Sequence, residues 1–251
     1  MKLEDRIVIV TGASSGIGEA TARRLAAEGM QVVAAARRED RLHALAAENP
    51  RITPLSVDVT DLESVTEMAR TVAERFGACH ALVNNAGVSG GNKVRGPADL
   101  VDVERVMDVN FTGAVRCTTA LAELLFASAP SRVVNIASIA GKVGVGRPAY
   151  SASKFALVGF SEALGQDWAR KGVTVTQLNP GFIRTEGFPQ DHLMRSPLRR
   201  LVGRPDDVAD AVVDVLRRGP RERSVPRWYR PIVALRHVAA PLFWTGARNL
   251  R

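Results

Sequence analysis

A chain of 251 residues, 46% hydrophobic and 24% charged, carries enough apolar material for one well-packed domain and is too even in composition to be disordered. Its formal net charge of +8 is concentrated in residues 217–251, where nine arginines face one glutamate; the rest of the chain balances at 25 basic and 25 acidic side chains. Cys79 and Cys117 lie in apolar segments without metal-ligand neighbours, and residues 1–6 hold no apolar leader, so a zinc site, a disulfide framework, secretion and a membrane span are all disfavoured and a cytoplasmic setting is expected.

The first strand is predicted at Ile7 to Val10. It runs into Thr-Gly-Ala-Ser-Ser-Gly-Ile-Gly at residues 11–18 and then into a helix predicted over 18–28. Strand, glycine turn and helix in that order are the context in which helix N-terminal amides hold a pyrophosphate. The spacing is Gly-x-x-x-Gly-x-Gly. Gly12 permits the tight turn, Gly16 lets the backbone approach a phosphate, and Gly18 lets the helix pack closely on the strand. Ser14, Ser15 and Ile17 complete the candidate loop.

The second strand, Gln31 to Ala35, ends in Ala36-Arg37-Arg38, with no carboxylate until Glu39. An acidic side chain at this place accepts the ribose hydroxyls of NAD, whereas a guanidinium meets a 2′-phosphate with charge-assisted bonds. NADP(H) is therefore favoured over NAD(H), one of the two arginines being expected merely to open a solvated helix.

Further strands are predicted at Thr53 to Val57, Ala81 to Val83, Arg132 to Ile136 and Val173 to Leu178, with helices over 40–48, 62–76, 100–127, 149–171 and 205–217. This alternation builds an α/β, Rossmann-type, doubly wound parallel sheet with helices on both faces. One domain is expected over residues 1–217, followed by a basic extension at 218–251. Ligands of such sheets bind beyond the carboxyl ends of the strands.

Tyr150 and Lys154 stand four residues apart, which on a helix stacks a phenol and an ammonium on one face. A phenol titrates near pKa ~10 and a neighbouring cation lowers it, so the pair can make a proton donor. Alone, Tyr-x-x-x-Lys is weak. Together, Thr11-Gly12-x-x-x-Gly16-x-Gly18, Asn84-Asn85-Ala86-Gly87, Asn110, Ser138, Tyr150-x-x-x-Lys154 and Pro180-Gly181 resemble, in order and spacing, the short-chain dehydrogenase/reductase family over residues 3 to about 217.

The resemblance implies hydride transfer between NAD(P)(H) and an alcohol or carbonyl carbon. It makes Tyr150 the general acid/base and Lys154 the group that lowers its pKa and holds the nicotinamide ribose. Ser138 would bond the carbonyl oxygen, and Asn110 would kink its helix and hold a water in a relay to the lysine. It further implies cofactor contacts at Asp58 and Val59 for the adenine and at Asn84, Ala86 and Gly87 for the adenosine side. Pro180, Gly181, Ile183 and Thr185 would meet the nicotinamide end. A homo-oligomer through the helices at 100–127 and 149–171 is implied as well. His80, where the family usually has an aspartate, is given a structural role, and the loop from Gly141 to Pro148 is one residue short.

Residues 186–202 form the expected substrate lid, with Phe188, Leu193, Met194, Leu198 and Leu201 among basic residues, which suits a small hydrophobic substrate. A 3-oxoacyl thioester on acyl carrier protein or coenzyme A is the nearest alternative substrate. A non-catalytic NADP-binding sensor or scaffold is the alternative of another class. The tail carries Trp228, Tyr229, Phe243 and Trp244 with arginines and a short apolar run between Pro231 and Pro241. Two readings of it stand: peripheral contact with anionic lipid through residues 227–248, or packing on its own domain or a neighbouring subunit. Nucleic acid is the poorer reading, since no recognised module accompanies the basic patch.

Overall fold

The computed structural model describes residues 1–91, 93–144 and 147–240, and within these says nothing of the side chains of His192, Pro197, Leu198, Ile232 and His237. Phe243 and Trp244, and part of the shortened loop before Pro148, lie outside the described residues.

Strand β1 (Ile7–Thr11) is buried throughout, and its side chains alternate between two cores. Val8 and Val10 join one cluster and Ile9 the other. Helix α1 (Gly16–Ala27), β2 (Gln31–Ala36), α2 (Glu39–Glu48), β3 (Ile52–Ser56), α3 (Leu62–Phe76) and β4 (Ala81–Asn84) continue the alternation. In α3 the sequence signals are plain. Asp61 accepts the Glu63 amide at 3.0 Å as N-cap, Val65, Met68 and Val72 form the buried face, and Gly77 ends the helix at φ 65°.

The helix expected over 100–127 is broken. It divides into α4 (Leu100–Met107), a wide π-helical turn at Asp108–Thr112, α5 (Gly113–Ala120) and α6 (Ala122–Ala127). The π-turn has a local cause in Asn110, whose side chain bonds both backbone groups of Val88 and so holds the turn open. Strand β5 (Ser131–Ile136), α7 (Pro148–Trp168, opened by Pro148 at its first position) and β6 (Val173–Pro180) follow. The short α8 (Asp191–Met194) lies in the lid, and α9 (Pro205–Arg218) packs on α1, where Arg24 pairs with Asp210 at 2.8 Å.

All strands are parallel, in the order β3-β2-β1-β4-β5-β6-β7. Strand β7 (Glu222–Val225) and α10 (Tyr229–Val238) are additions to the expected plan. The sheet thus continues past residue 217 into the segment set apart as a tail, with β7 paired along β6 from Gln177↔Glu222 to Pro180↔Val225. Glu-Arg-Ser-Val is a short, half-polar edge strand, which a search for apolar runs passes over. His80 has the structural role expected of it: its Nδ1 accepts the Ile7 amide at 3.1 Å.

The order reverses between β1 and β4, and a doubly wound sheet opens a crevice there beyond the strand ends. The Thr11 hydroxyl accepts the Asn85 and Ala86 amides at 3.0 and 3.1 Å, while the Asn85 side chain donates to the Thr11 carbonyl at 2.9 Å. These bonds fix the turn after β4 against the glycine loop after β1.

Candidate active site

Gly12 and Gly16 take φ of 67° and 59°, the left-handed region that favours glycine, and so turn the chain from β1 into α1. Gly18 answers a different need. A Cβ on it would stand 2.3 Å from the Gly12 carbonyl oxygen, so the first turn of α1 can press against the loop only without a side chain. No side chain caps that first turn, and its amides are left for an anion.

A cavity of about 900 Å³ runs from this loop to the first turns of α7, the size of a site for a nucleotide-sized ligand. Gly12, Ser14, Ser15, Gly16, Ile17, Arg37, Arg38, Asp58, Val59, Ala86 and Gly87 line it at the β1–β4 side. Ser138, Tyr150, Lys154, Pro180, Gly181, Ile183 and Thr185 line it at the other. Three expected residues are not on its wall. Gly18 acts through packing. Asn84 turns behind the sheet, donating to Thr118 Oγ1 at 2.9 Å and Asn135 Oδ1 at 2.8 Å, because strand alternation sends its side chain inward; Asn85 reaches the cavity instead. Asn110, fully buried, spans from Val88 to Ser153 Oγ, which its Nδ2 reaches at 3.1 Å one residue before Lys154.

The two arginines after β2 differ. Arg37 is exposed, 3.8 Å from Asp58. Asp58 is buried enough to raise its carboxyl, yet the Thr60 amide and hydroxyl, with Arg37 and Arg116, hold it below the usual range. Arg38 is anchored across the glycine loop, its Nε donating to Ser14 Oγ at 3.1 Å and its Nη2 to Ser15 Oγ at 2.6 Å. Its Nη1 donates to Glu186 at 3.2 Å, and Glu186 also pairs with Arg41. The lid is thereby tied to the far end of the cavity, a link no local pattern announces.

At the other end Tyr150 and Ser138 line the cavity together, and Ser138 Oγ accepts the Ala140 amide at 3.0 Å and donates to the Pro180 carbonyl at 3.5 Å. Burial raises the phenol above its ordinary value, while the neighbouring Ser138 hydroxyl and the Arg147 charge pull the other way. This reverses the shift expected from Lys154. Lys154 is itself stripped of water, which lowers it to about 8, and its Nζ donates to the Ile136 carbonyl at 2.8 Å. Its ammonium stands 5.8 Å from the phenol ring, and burial of the phenol itself sets the direction of the Tyr150 shift.

Phe188 covers the phenol from the lid, ring centroids 5.4 Å apart, with the Arg147 guanidinium 5.7 Å from its own ring. Leu193 of the lid is buried; the side chain of Leu198 lies outside the described residues. Tyr229 was missed as a site residue. It lines the cavity from α10, its ring so close to Gly181 that a Cβ there would stand 2.1 Å away, and its hydroxyl accepts the Phe182 amide at 3.4 Å. Its only sequence signal is an aromatic pair in a basic segment.

A phosphate loop at the switch point and a phenol, a serine and a lysine facing it across one cavity are the parts of a dinucleotide-dependent oxidoreductase. The family model for short chain dehydrogenases matches residues 6–194, and the chain belongs to the short-chain dehydrogenase/reductase family. A 3-oxoacyl-[acyl-carrier-protein] reductase of Synechocystis is 34% identical over 221 residues, covering 84% of this chain and 88% of the relative. A short chain dehydrogenase/reductase from Burkholderia phymatum, crystallised with NAD, superposes with a TM-score of 0.83 at 26% identity over 96% of both chains. A variant actinorhodin polyketide ketoreductase crystallised with NADPH gives 0.78 at 30% identity, over 88% of this chain and 95% of its own. The protein is an NAD(P)-dependent oxidoreductase acting on CH–OH or C=O groups.

Proposed function

We propose that the protein is an NADP(H)-dependent reductase of a small apolar ketone, with Tyr150 as its general acid and base. The observation that carries the reading is that Tyr150, Ser138 and Lys154 meet on the wall of the cavity that also holds the glycine loop. When bound, the nicotinamide supplies or accepts the hydride. Gly12, Gly16 and the first-turn amides of α1 would hold its diphosphate, and Pro180, Gly181, Ile183 and Thr185 its nicotinamide end. Ser138 Oγ donates to the substrate oxygen and steadies the charge that grows there, while the Tyr150 hydroxyl delivers its proton to the same atom. Lys154 Nζ holds ribose hydroxyls, and Asn110 keeps the neighbouring turn of α7 in place through Ser153. Phe182, Phe188 and Ile139 supply the apolar lining that favours a hydrophobic substrate and excludes water.

For NADP(H) over NAD(H), the supporting features are Arg37 and Arg38 at the end of β2 and the Ser14 and Ser15 hydroxyls that hold Arg38 beside the phosphate loop. Fluorescence titration should give tighter binding of NADPH than of NADH. Replacing Arg37 and Arg38 by alanine should weaken NADPH binding by about 10–100-fold, the worth of one charge-assisted contact, and leave NADH little changed. Equal losses for both cofactors would sink the assignment. The alternative substrate, a 3-oxoacyl thioester, is supported by the Synechocystis relative; turnover of carrier-bound against free ketones separates the two.

We also propose a homo-oligomer. Leu100 and Val101 on α4 and Phe155 on α7 are exposed apolar side chains on the two helices the family uses to associate. Light scattering should read a multiple of 27.0 kDa, and a monomer at micromolar concentration would end the idea.

A further inference from the structure

Helix α10 leaves the body of the protein at the rim of the cavity. Tyr229 anchors its first turn under Gly181 and Phe182, while Trp228 stacks on Tyr229 at 3.9 Å and stays 41% exposed. Beyond that anchor, Pro231, Ala234, Leu235 and Val238 are all exposed. Their spacing of i, i+3, i+4 and i+7 places them on one helical face. Leu235 is 47% and Val238 88% exposed, so this apolar stripe has no cover among the described residues.

The surroundings of the stripe are cationic. Arg227 and Arg230 lie one turn before Pro231 and Ala234, both exposed, and neither forms an ion pair among the described residues. The same holds for Arg184 and Arg204, brought beside Phe182 by the Gly203 amide bonding the Phe182 carbonyl at 2.8 Å and the Arg184 amide bonding the Gly203 carbonyl at 3.1 Å. The entire excess charge of the chain falls in the segment that carries α10.

We infer that this face docks on an anionic lipid surface, with the stripe and Trp228 entering the interface and the arginines meeting the headgroups. An exposed aliphatic stripe flanked by arginines and an aromatic anchor is the pattern of a helix lying in the interface plane. Unpaired cations at its edge complement a negative surface and no other part of this otherwise neutral chain.

The test is cosedimentation of the full chain with phosphatidylcholine vesicles, with and without phosphatidylserine, at low and high salt. Binding is expected to the phosphatidylserine vesicles only and to be released by salt. Arg227→Gln with Arg230→Gln should weaken it by about 25-fold, roughly fivefold per arginine. Leu235→Asp with Val238→Asp should weaken it by at least about tenfold. All four positions are solvent-facing, so both variants should melt and bind NADPH as the parent does, which separates a failed docking from a failed cofactor assignment. Three results overturn the inference: no binding to anionic vesicles at low salt, binding that neither pair of substitutions weakens, or a dimer lost in Leu235→Asp/Val238→Asp without vesicle binding, which would assign the face to a second copy of the chain.

Discussion

Replacing Tyr150 by phenylalanine is expected to lower kcat/KM for carbonyl reduction by about 10²–10⁴-fold, the usual worth of a positioned general acid, while leaving NADPH affinity unchanged. The substitution removes one oxygen and keeps the ring, whose packing on Phe188 is apolar. The fold and cavity therefore persist, and Ser138 keeps its bond from the Ala140 amide. The pH dependence follows from the direction of the Tyr150 shift. Burial raises the phenol, so at neutral pH it is protonated and ready to give a proton. Reduction should hold level through neutral pH and fall only in alkali; alcohol oxidation, which needs the phenolate, should rise over the same alkaline range. A Tyr150→Phe enzyme with parental kcat/KM, or an oxidation rate that falls as pH rises, would remove Tyr150 from the chemistry.

The parts of this molecule that the sequence makes legible are those fixed by local pattern. Apolar runs between glycine and proline breaks mark six of the seven strands, and Gly12, Gly16 and Gly18 mark the loop between β1 and α1. What lies outside such patterns was not legible. Strand β7 is polar on one side and four residues long, and exists only because β6 offers it an edge. The break at Asn110 depends on Val88, twenty-two residues away. The Asn84 side chain could not be separated from that of Asn85 without the strand's phase. Tyr229 reaches the cavity only because Gly181 leaves room for its ring. The direction of the Tyr150 shift failed for a related reason. Spacing predicts that Tyr150 and Lys154 share a face, but only the tertiary structure says that the phenol is itself buried, which raises it whatever stands beside it.

The burial of Lys154 carries a cost in stability, and Lys154→Met should reveal it. The lysine titrates at about 8 in the folded protein and at an ordinary 10.5 in the unfolded chain. Between those values the unfolded state binds more protons, so the contribution of Lys154 to stability rises with pH across the window; below about 8 the full penalty is present. The shift corresponds to about 3 kcal/mol, and losing the bond to the Ile136 carbonyl returns about 1–2 kcal/mol of it. The methionine variant, close in volume and apolar, is thus expected to melt about 2–8 °C above the parent at pH 7 without cofactor. Its advantage should shrink from pH 8 upward by about 1.4 kcal/mol per pH unit and reverse at about pH 9–9.5, where the folded parent has shed most of the charge penalty and keeps its hydrogen bond. The same variant should lose nearly all turnover if Lys154 holds the ribose, the pattern of a functional group kept against the interest of the fold. Calorimetry across pH 7–10.5 checks the sign. A variant less stable than the parent at pH 7 would mean that Lys154 is neutral or well paired in the folded protein, and that the alkaline fall in reduction belongs to Tyr150 alone.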